Sequence, residues 1–225
     1  MTAALPQYRV IVGVTGASGS AYADLLVRTL LEVGIRTYVV FTDTAKKVIR
    51  TEIPESFLGV LATTPTQMRF HEDDLMGAAA EGVGLSKSSL SELRVFLNDD
   101  LYAPIASGSE GATHMIVVPS SMGTLARIAH GMSSCLLERA ADVMLKERRT
   151  LVVVPRETPF NAIHLQNMLA LVQAGAVILP AMPGFYQRPQ SVEELVWFVV
   201  ERILDQLRIP ECEAKKQIRW NVRRL

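Results

Sequence analysis

The stretch IVGVTGASGSAYADLLVRTLLE, residues 11–32, decides the fold class of this chain. It begins in a valine-rich apolar run, which is typical of a buried parallel strand, and continues with apolar residues at helical spacing. Gly13, Gly16 and Gly19 lie between the two and allow a tight turn with close backbone approach to a ligand. Their spacing is not that of the dinucleotide fingerprint. The stretch therefore predicts either a phosphate-holding turn or a strand-to-helix turn without a ligand.

Short apolar strands and amphipathic helices alternate along the rest of the chain. Strands are predicted at residues 8–14, 35–41, 94–100, 114–121, 150–155 and 176–183, and helices at residues 20–34, 44–52, 122–131, 135–149, 161–176 and 191–207. Ser18 and Gly34 are the predicted caps of the first helix, and residues 53–100 are predicted to form a less regular, peripheral excursion. This order predicts an α/β fold with a doubly wound, mostly parallel sheet, Rossmann-like or flavodoxin-like, in a three-layer sandwich. We expect a single α/β domain over residues 1–207 and a basic tail over residues 208–225.

Composition and charge narrow the class of protein. Of the 225 residues, 49% are hydrophobic and 20% are charged, as in a globular chain with a large core. The 23 basic and 23 acidic residues cancel, so the totals do not indicate a nucleic-acid-binding surface. Cys135 and Cys212 form neither a disulfide framework nor a metal-ligand pattern, and the four histidines lack metal-ligand spacing. Because we find no basic leader and no apolar run of about 18 residues, we expect a soluble, cytoplasmic protein that binds no membrane.

Polar side chains at the ends of predicted strands are the first candidates for a ligand site. The carboxyl ends of parallel strands meet at one edge of a sheet, where such folds bind ligands. The fourth strand opens into a helix with Ser121, Gly123 and Thr124, which can offer hydroxyl and amide contacts or simply cap that helix. Arg156 and Glu157 follow the fifth strand, where an arginine fork suits phosphate and a carboxylate can transfer protons. A buried arginine at this position would need a partner or a ligand.

Further candidates lie on the later helices and on the exit of the sixth strand. Arg139, Asp142 and Lys146 share one helical stripe, a pattern that fits solvated ion pairs as well as a binding role. Tyr186 follows the sixth strand and can donate to a phosphate oxygen. Arg202 lies in a mainly apolar helix, where a guanidinium either has a partner or faces solvent.

Three segments of the chain resemble the flavin prenyltransferases, the UbiX family. They are GVTGASG, PSSMGTLARIAHG and the long run ERAADVMLKERRTLVVVPRETPFNAIHLQNMLALVQAGAVILPAMPGFYQRPQSVEELVWFVVERILDQL. The resemblance covers roughly residues 8–210 and is most specific over residues 119–207. It implies an enzyme that joins the prenyl unit of dimethylallyl phosphate to N5 and C6 of reduced FMN, releases phosphate and needs no metal. It also implies a homododecamer with sites at subunit junctions, and a product, prenylated FMN, that serves UbiD-type decarboxylases.

The resemblance further implies roles for individual residues. Those matched to FMN are Gly16, Ala17, Ser18, Thr42, Ser121, Met122, Gly123, Thr124 and Arg139. Those matched to the prenyl phosphate are Lys146, Arg156, Tyr186 and Arg202, and Trp220 in the tail matches an aromatic residue that closes the substrate pocket. Glu52, Glu157 and Ser18 match the reaction centre, and the base that removes the C6 proton is left open between Glu52, Glu157 and the released phosphate. Asp43 and Leu101 depart from some relatives, which carry lysine and tryptophan there.

Two alternative functions share parts of this pattern. A flavin-dependent cysteinyl decarboxylase would have a similar first loop, but those enzymes carry an Asn- and Met-containing motif after PAM and a catalytic histidine, whereas this chain has PAMPGFYQ. A non-catalytic FMN carrier would leave the charged set Lys146, Arg156, Tyr186 and Arg202 without a purpose. Both alternatives are expected to fail a test for prenyl transfer.

Overall fold

Six strands form one parallel sheet in the part of the chain that the computed structural model describes, residues 8–63 and 85–213. They are β1 (Arg9–Val14), β2 (Arg36–Phe41), β3 (Leu93–Phe96), β4 (His114–Ser120), β5 (Thr150–Pro155) and β6 (Val177–Ile178). Their order across the sheet is β3-β2-β1-β4-β5-β6, and every neighbouring pair is parallel. The chain therefore reverses its direction across the sheet between β1 and β4, which is where open α/β sheets bind ligands.

Helices cover both faces of this sheet. They are α1 (Ser20–Glu32), α2 (Asp43–Glu52), α3 (Phe57–Thr63), α4 (Lys87–Leu90), α5 (Met122–Ala129), α6 (Leu136–Lys146), α7 (Ala162–Gln173), α8 (Val192–Leu207) and α9 (Pro210–Glu213). The core on one face contains residues of α1, α2, α3 and α8, and the core on the other face contains residues of α5, α6 and α7. The predicted doubly wound, three-layer sandwich is therefore confirmed.

The valine-rich run of β1 is buried on both of its faces. Val10, Val12 and Val14 belong to the core beneath α1, and Ile11 belongs to the core on the opposite face, as the two-residue period of a strand requires. All four side chains are fully buried. A central parallel strand covered by helices on both sides has this uninterrupted apolar pattern.

Several predicted boundaries are wrong. The sixth strand is only Val177–Ile178, although Leu179 N and Ala181 N still donate to Val153 O at 2.9 Å and to Pro155 O at 3.0 Å. The third strand ends at Phe96 and not at residue 100. Residues 53–100 were predicted to be a peripheral excursion, and this is wrong for α3, because Phe57 and Leu58 are fully buried in the core.

The chain continues to pack against the core beyond α8. Ile209 and Cys212 are fully buried in the same core as α8. Trp220 lies outside the described residues, as do His71, Glu72, Asp73 and Asp74. The division of the chain at residue 207 stays a prediction.

Candidate functional site

The loop after β1 lies at the switch point of the sheet and begins the candidate site. Gly16 approaches α2 so closely that a Cβ there would lie 2.3 Å from Thr44 Cγ2. Gly19 has φ 110°, a left-handed conformation that favours glycine, and it is the N-cap of α1. These two glycines are thus required by a close approach and by a positive φ, respectively, and they bring the first N–H groups of α1 to the carboxyl edge of the sheet.

Glu52, at the end of α2, caps the first turn of α1. Its Oε2 accepts hydrogen bonds from Gly19 N at 3.0 Å and from Ser20 N at 2.8 Å. Ser18 was predicted to be the N-cap, and this is wrong: Gly19 occupies that position, and the Glu52 carboxylate, which is longer and charged, replaces a side-chain cap.

Ser18 and Glu52 are nevertheless in contact. Desolvation raises the pKa of Glu52, but hydrogen bonds from the Ser18 side chain and from Ser20 and Gly19 outweigh it, so the pKa lies below its ordinary value. Glu52 is therefore a carboxylate at neutral pH. An ionised acceptor joined to a hydroxyl can draw a proton through that hydroxyl.

The exit of β4 is fastened to the exit of β1 by Thr15. This residue is 1% exposed. Its Oγ1 donates to Pro119 O at 2.8 Å and accepts from Ser121 N at 2.7 Å. Sequence reasoning missed Thr15, although a polar residue between an apolar strand and a glycine loop was a signal for it. The hydroxyl therefore joins the loops after β1 and β4, which are the two loops that were predicted to bind FMN.

The predicted FMN residues on the β4 and β2 exits cap the helices that follow. Ser121 accepts from Thr124 N at 3.3 Å and donates to Thr124 Oγ1 at 3.1 Å, and Thr124 is buried. Thr42 caps α2 by accepting from Ala45 N at 3.1 Å. Met122 and Gly123 form the first turn of α5. An N-capping role is thus present at both exits and is compatible with a ligand at the exposed amides.

An open cavity of about 350 Å³ adjoins the ends of β2 and β3. Its lining residues are Asp43, Lys46, Leu97, Asn98, Asp99, Ser134 and Cys135. Burial raises the pKa of the Cys135 thiol despite weaker opposing hydrogen bonds, so it is a neutral lining group. Leu101 is 46% exposed just beyond this edge.

Arg156 and Glu157 lie where β5 leaves the sheet. Arg156 N donates to Ser120 O at 3.2 Å, which places it beside the β4 exit. The Arg156 side chain is exposed and can meet a ligand from solvent. Burial raises the pKa of Tyr22, in the first turn of α1, against the opposing charge of Arg156. This electrostatic interaction puts Arg156 near the start of α1 and hence near the first loop.

Tyr186 and Arg202 meet on the ring of Phe198. The rings of Tyr186 and Phe198 are edge-on, with centroids 5.7 Å apart and planes at 78°. Arg202 Cζ lies 5.9 Å from the Phe198 centroid, and Arg202 Nη2 pairs with Asp205 Oδ2 at 3.1 Å. Arg202 Nε is buried and has no hydrogen-bond partner among the residues described. A phosphate oxygen is a suitable acceptor for such a donor.

Arg139 and Lys146 lie on α6, which leads away from the other candidate residues of the same chain. Leu136 N donates to Asn98 O at 2.7 Å, so α6 begins at the carboxyl edge and runs toward the opposite edge, where β5 begins. Lys146 is its last residue and pairs with Glu147 there, about 15 Å from the first turn of the helix. Arg139, one turn in, pairs with Asp142 at 2.7 Å and donates to Ala106 O at 3.1 Å. One chain therefore does not bring Lys146 to Arg156.

The described residues contain neither a membrane-spanning helix nor a cluster of metal-ligating side chains. Among residues 8–63 and 85–213, there is no helix whose length and apolar character would suffice to cross a membrane. In the same residues, no group of three or more His, Cys, Asp or Glu side chains could hold a metal ion. His164 instead completes a capping box with Asn161 at the start of α7.

The switch-point loops, with exposed helix amides and a cationic rim, define a class of protein: an α/β protein that binds a phosphate-bearing cofactor. A model of the family described as Flavoprotein matches residues 2–204. The chain is 46% identical over 213 residues to a flavin prenyltransferase UbiX of Halalkalibacterium halodurans, covering 95% of this chain and 93% of the relative. The chain belongs to the Flavoprotein family and, within it, to the UbiX flavin prenyltransferases.

Two solved structures are similar to this one over nearly the whole chain. The first is AnUbiX (PadA1) in complex with FMN and dimethylallyl pyrophosphate, with 35% identity, a TM-score of 0.74 and coverage of 95% of this chain and 97% of the other. The second is a dodecameric FMN-dependent Ubix-like decarboxylase from Escherichia coli O157:H7, with 36% identity, a TM-score of 0.74 and coverage of 95% and 99%.

Proposed function

We propose that this protein is a flavin prenyltransferase, which transfers a dimethylallyl group from dimethylallyl phosphate to N5 and C6 of reduced FMN. In the net reaction the C–O bond to phosphate breaks, and bonds from the prenyl unit to N5 and C6 replace the N5–H and C6–H bonds. One of the two protons released adds to the prenyl C=C bond, the other leaves on phosphate, and the flavin gains C5H8. The observation that carries the proposal is the ionised Glu52 bonded to Ser18 at the switch point, in a chain of this family.

FMN fits the loops after β1, β2 and β4. Gly16, Ala17 and Ser18 would face the flavin from the first loop, and its phosphate would meet the helix amides nearby, where the helix dipole favours an anion. The other residues assigned to FMN are Thr42, Ser121, Met122, Gly123, Thr124 and Arg139. Their backbone and hydroxyl groups offer contacts without a metal.

The prenyl phosphate fits beside Arg156. Arg156 and Arg202 would neutralise its charge and Tyr186 would donate a hydrogen bond to it, which lowers the cost of breaking the allylic C–O bond. Glu157 is half-buried and accepts from Thr158 N at 3.0 Å. From there it can exchange a proton with the phosphate. Ser18 and Glu52 would serve the flavin side of the reaction, and a neighbouring aromatic such as Trp220 would shield the pocket from water.

The position of Lys146 requires more than one subunit. Because Lys146 lies at the far end of α6, we assign it and Arg139 to the site of a neighbouring subunit in a homo-oligomer. A homododecamer is the assembly that we propose, since a Ubix-like relative is dodecameric. The prenylated FMN would pass to a UbiD-type decarboxylase, and the need to keep FMN reduced fits a cytoplasmic location.

The test is an anaerobic incubation of the protein with reduced FMN and dimethylallyl phosphate, followed by mass spectrometry of the flavin. Prenyl transfer predicts a flavin heavier by one C5H8 unit. Unchanged flavin, together with decarboxylation of a cysteine-terminated peptide offered in parallel, would favour the cysteinyl decarboxylase. Bound flavin that stays unchanged with both substrates would leave only an FMN carrier.

A further inference from the structure

Phe198, on α8, contacts two of the residues assigned to the prenyl phosphate. Tyr186 approaches from the loop after β6, and Arg202 lies one helical turn beyond Phe198 on the same helix, four residues later. The ring thus connects a loop residue and a helix residue that are separate in the chain. No role was assigned to Phe198 by the sequence analysis.

The surroundings of the ring leave little freedom for either partner. A Cβ on Gly184 would lie 2.8 Å from Tyr186 and 2.9 Å from Phe198, so a side chain there would displace one of the two rings. Tyr186 is 54% exposed, and its orientation therefore depends on contacts with its neighbours more than on burial. The ion pair with Asp205 attracts the Arg202 guanidinium toward the C-terminal end of α8. The face of the Phe198 ring attracts the same guanidinium toward the N-terminal end of the helix.

We propose that Phe198 is a positioning residue that fixes Tyr186 and Arg202 relative to each other, and so sets the affinity for the prenyl phosphate. This inference rests on the proposed function, because both partners act in it as phosphate ligands. Its ring supplies two directional contacts, an edge-on aromatic contact and a cation–π contact, which an aliphatic side chain of similar volume cannot supply.

The test compares Phe198→Leu, which keeps an apolar side chain, with Phe198→Tyr, which keeps the ring. The matched control is Phe96→Leu, since Phe96 is also half-buried and meets Tyr38 edge-on with centroids 5.7 Å apart. For each variant, FMN affinity is measured by fluorescence quenching, and KM and kcat are measured with dimethylallyl phosphate under anaerobic conditions.

We expect Phe198→Leu to raise KM for dimethylallyl phosphate about tenfold while leaving FMN affinity within about twofold, and Phe198→Tyr to restore KM. Phe96→Leu should leave KM unchanged. An unchanged KM in Phe198→Leu, or an equal rise in Phe96→Leu, would overturn the proposal. So would a parallel loss of FMN affinity in Phe198→Leu, which would indicate a general structural role. If wild-type protein makes no prenylated flavin at all, the proposed function fails first, and the two failures are thus distinguishable.

Discussion

At the start of α1, the Ser18 hydroxyl and the backbone N–H groups of Gly19 and Ser20 converge on the Glu52 carboxylate. The same contacts explain the start of the helix and the lowered pKa of Glu52. A single carboxylate thus serves the local fold and the chemistry that we propose. Arg156, at the exit of β5, is likewise exposed and can meet a ligand from solvent.

Replacing Glu52 by Gln separates its charge from its shape. The amide oxygen can still accept from Gly19 and Ser20, so α1 and FMN binding should persist, while the proton acceptor behind Ser18 is lost. We expect the single-turnover rate of flavin prenylation to fall about a hundredfold. Glu55→Gln, an exposed change three residues along, should leave the rate unchanged. A Glu52→Gln enzyme with the wild-type rate would remove Glu52 from the mechanism.

Arg156→Ala and Glu157→Gln are expected to spare FMN binding and to slow turnover. The arginine change removes charge that stabilises the leaving phosphate, and the loss should be about a hundredfold in kcat/KM. Steady-state kinetics with saturating reduced FMN measure it. Arg148→Ala changes an exposed arginine just ahead of β5, at the opposite edge of the sheet, and is the control. Normal turnover in both site variants would mean that the prenyl phosphate binds elsewhere.

At the scale of elements, the loops after β1 and β4 behave as one unit because Thr15 joins them. The existence of the helices and strands could be predicted from hydrophobic periodicity, since β1 and α1 follow it closely. The cap of α1 could not be predicted, because Glu52 is distant in sequence from the helix it caps. Thr15 and Phe198 escaped prediction for a similar reason: each acts through partners that only the packed sheet brings near.

Removing the Thr15 hydroxyl should loosen this unit. Thr15→Val leaves the partly buried Ser121 N without its acceptor, at a cost of about 1–3 kcal/mol in the free energy of unfolding. FMN affinity should fall about tenfold, because the two flavin-binding loops are no longer held together. Thr15→Ser retains Oγ1 and should restore both quantities. Denaturant titration and fluorescence quenching by FMN measure them. Equal FMN affinity in the Val and Ser variants would contradict the coupling.

The buried Glu138 carboxylate, at the junction of α5 and α6, should make the free energy of unfolding depend on pH. Burial raises the pKa of Glu138, but hydrogen bonds from Ser134 and the pairing with Arg127 outweigh it, so the pKa lies below its ordinary value of 4.5. A lowered carboxyl pKa contributes stability that is present above pH 4.5 and is lost as the pH falls through the folded-state pKa.

Glu138→Gln should therefore be less stable than the wild type at neutral pH, and the difference should shrink as the pH falls below about 4.5. Urea titrations at a series of pH values measure both effects. The exposed change Glu55→Gln should keep the wild-type pH dependence. A constant difference between Glu138→Gln and wild type at all pH values would contradict the assignment.

At the scale of the whole molecule, α7 leaves an apolar stripe uncovered. Leu165, Leu169 and Val172 are 54%, 57% and 51% exposed at positions i, i+4 and i+7 of the helix. Its other side is buried against the core through Met168 and Leu171. An apolar stripe of this kind fits a contact with another copy of the chain. Oligomer contacts of this sort could not be predicted from the periodicity of a single chain.

Leu169→Glu places a charge in the middle of this stripe. We expect a smaller assembly by analytical ultracentrifugation and a loss of prenylation, because Arg139 and Lys146 are assigned to a neighbouring site. Gln166→Glu adds the same charge on an exposed part of α7 and should preserve the assembly. Full activity in a dissociated Leu169→Glu protein would contradict the shared site.

The central claim is that the carboxyl edge of the sheet couples the breaking of a prenyl–phosphate bond to the alkylation of reduced FMN. The most direct measurement counts the phosphate released per flavin consumed in an anaerobic reaction of the wild-type protein, and weighs the same flavin by mass spectrometry. The account predicts one phosphate for each flavin that gains one C5H8 unit. Phosphate release without a change in flavin mass would contradict it.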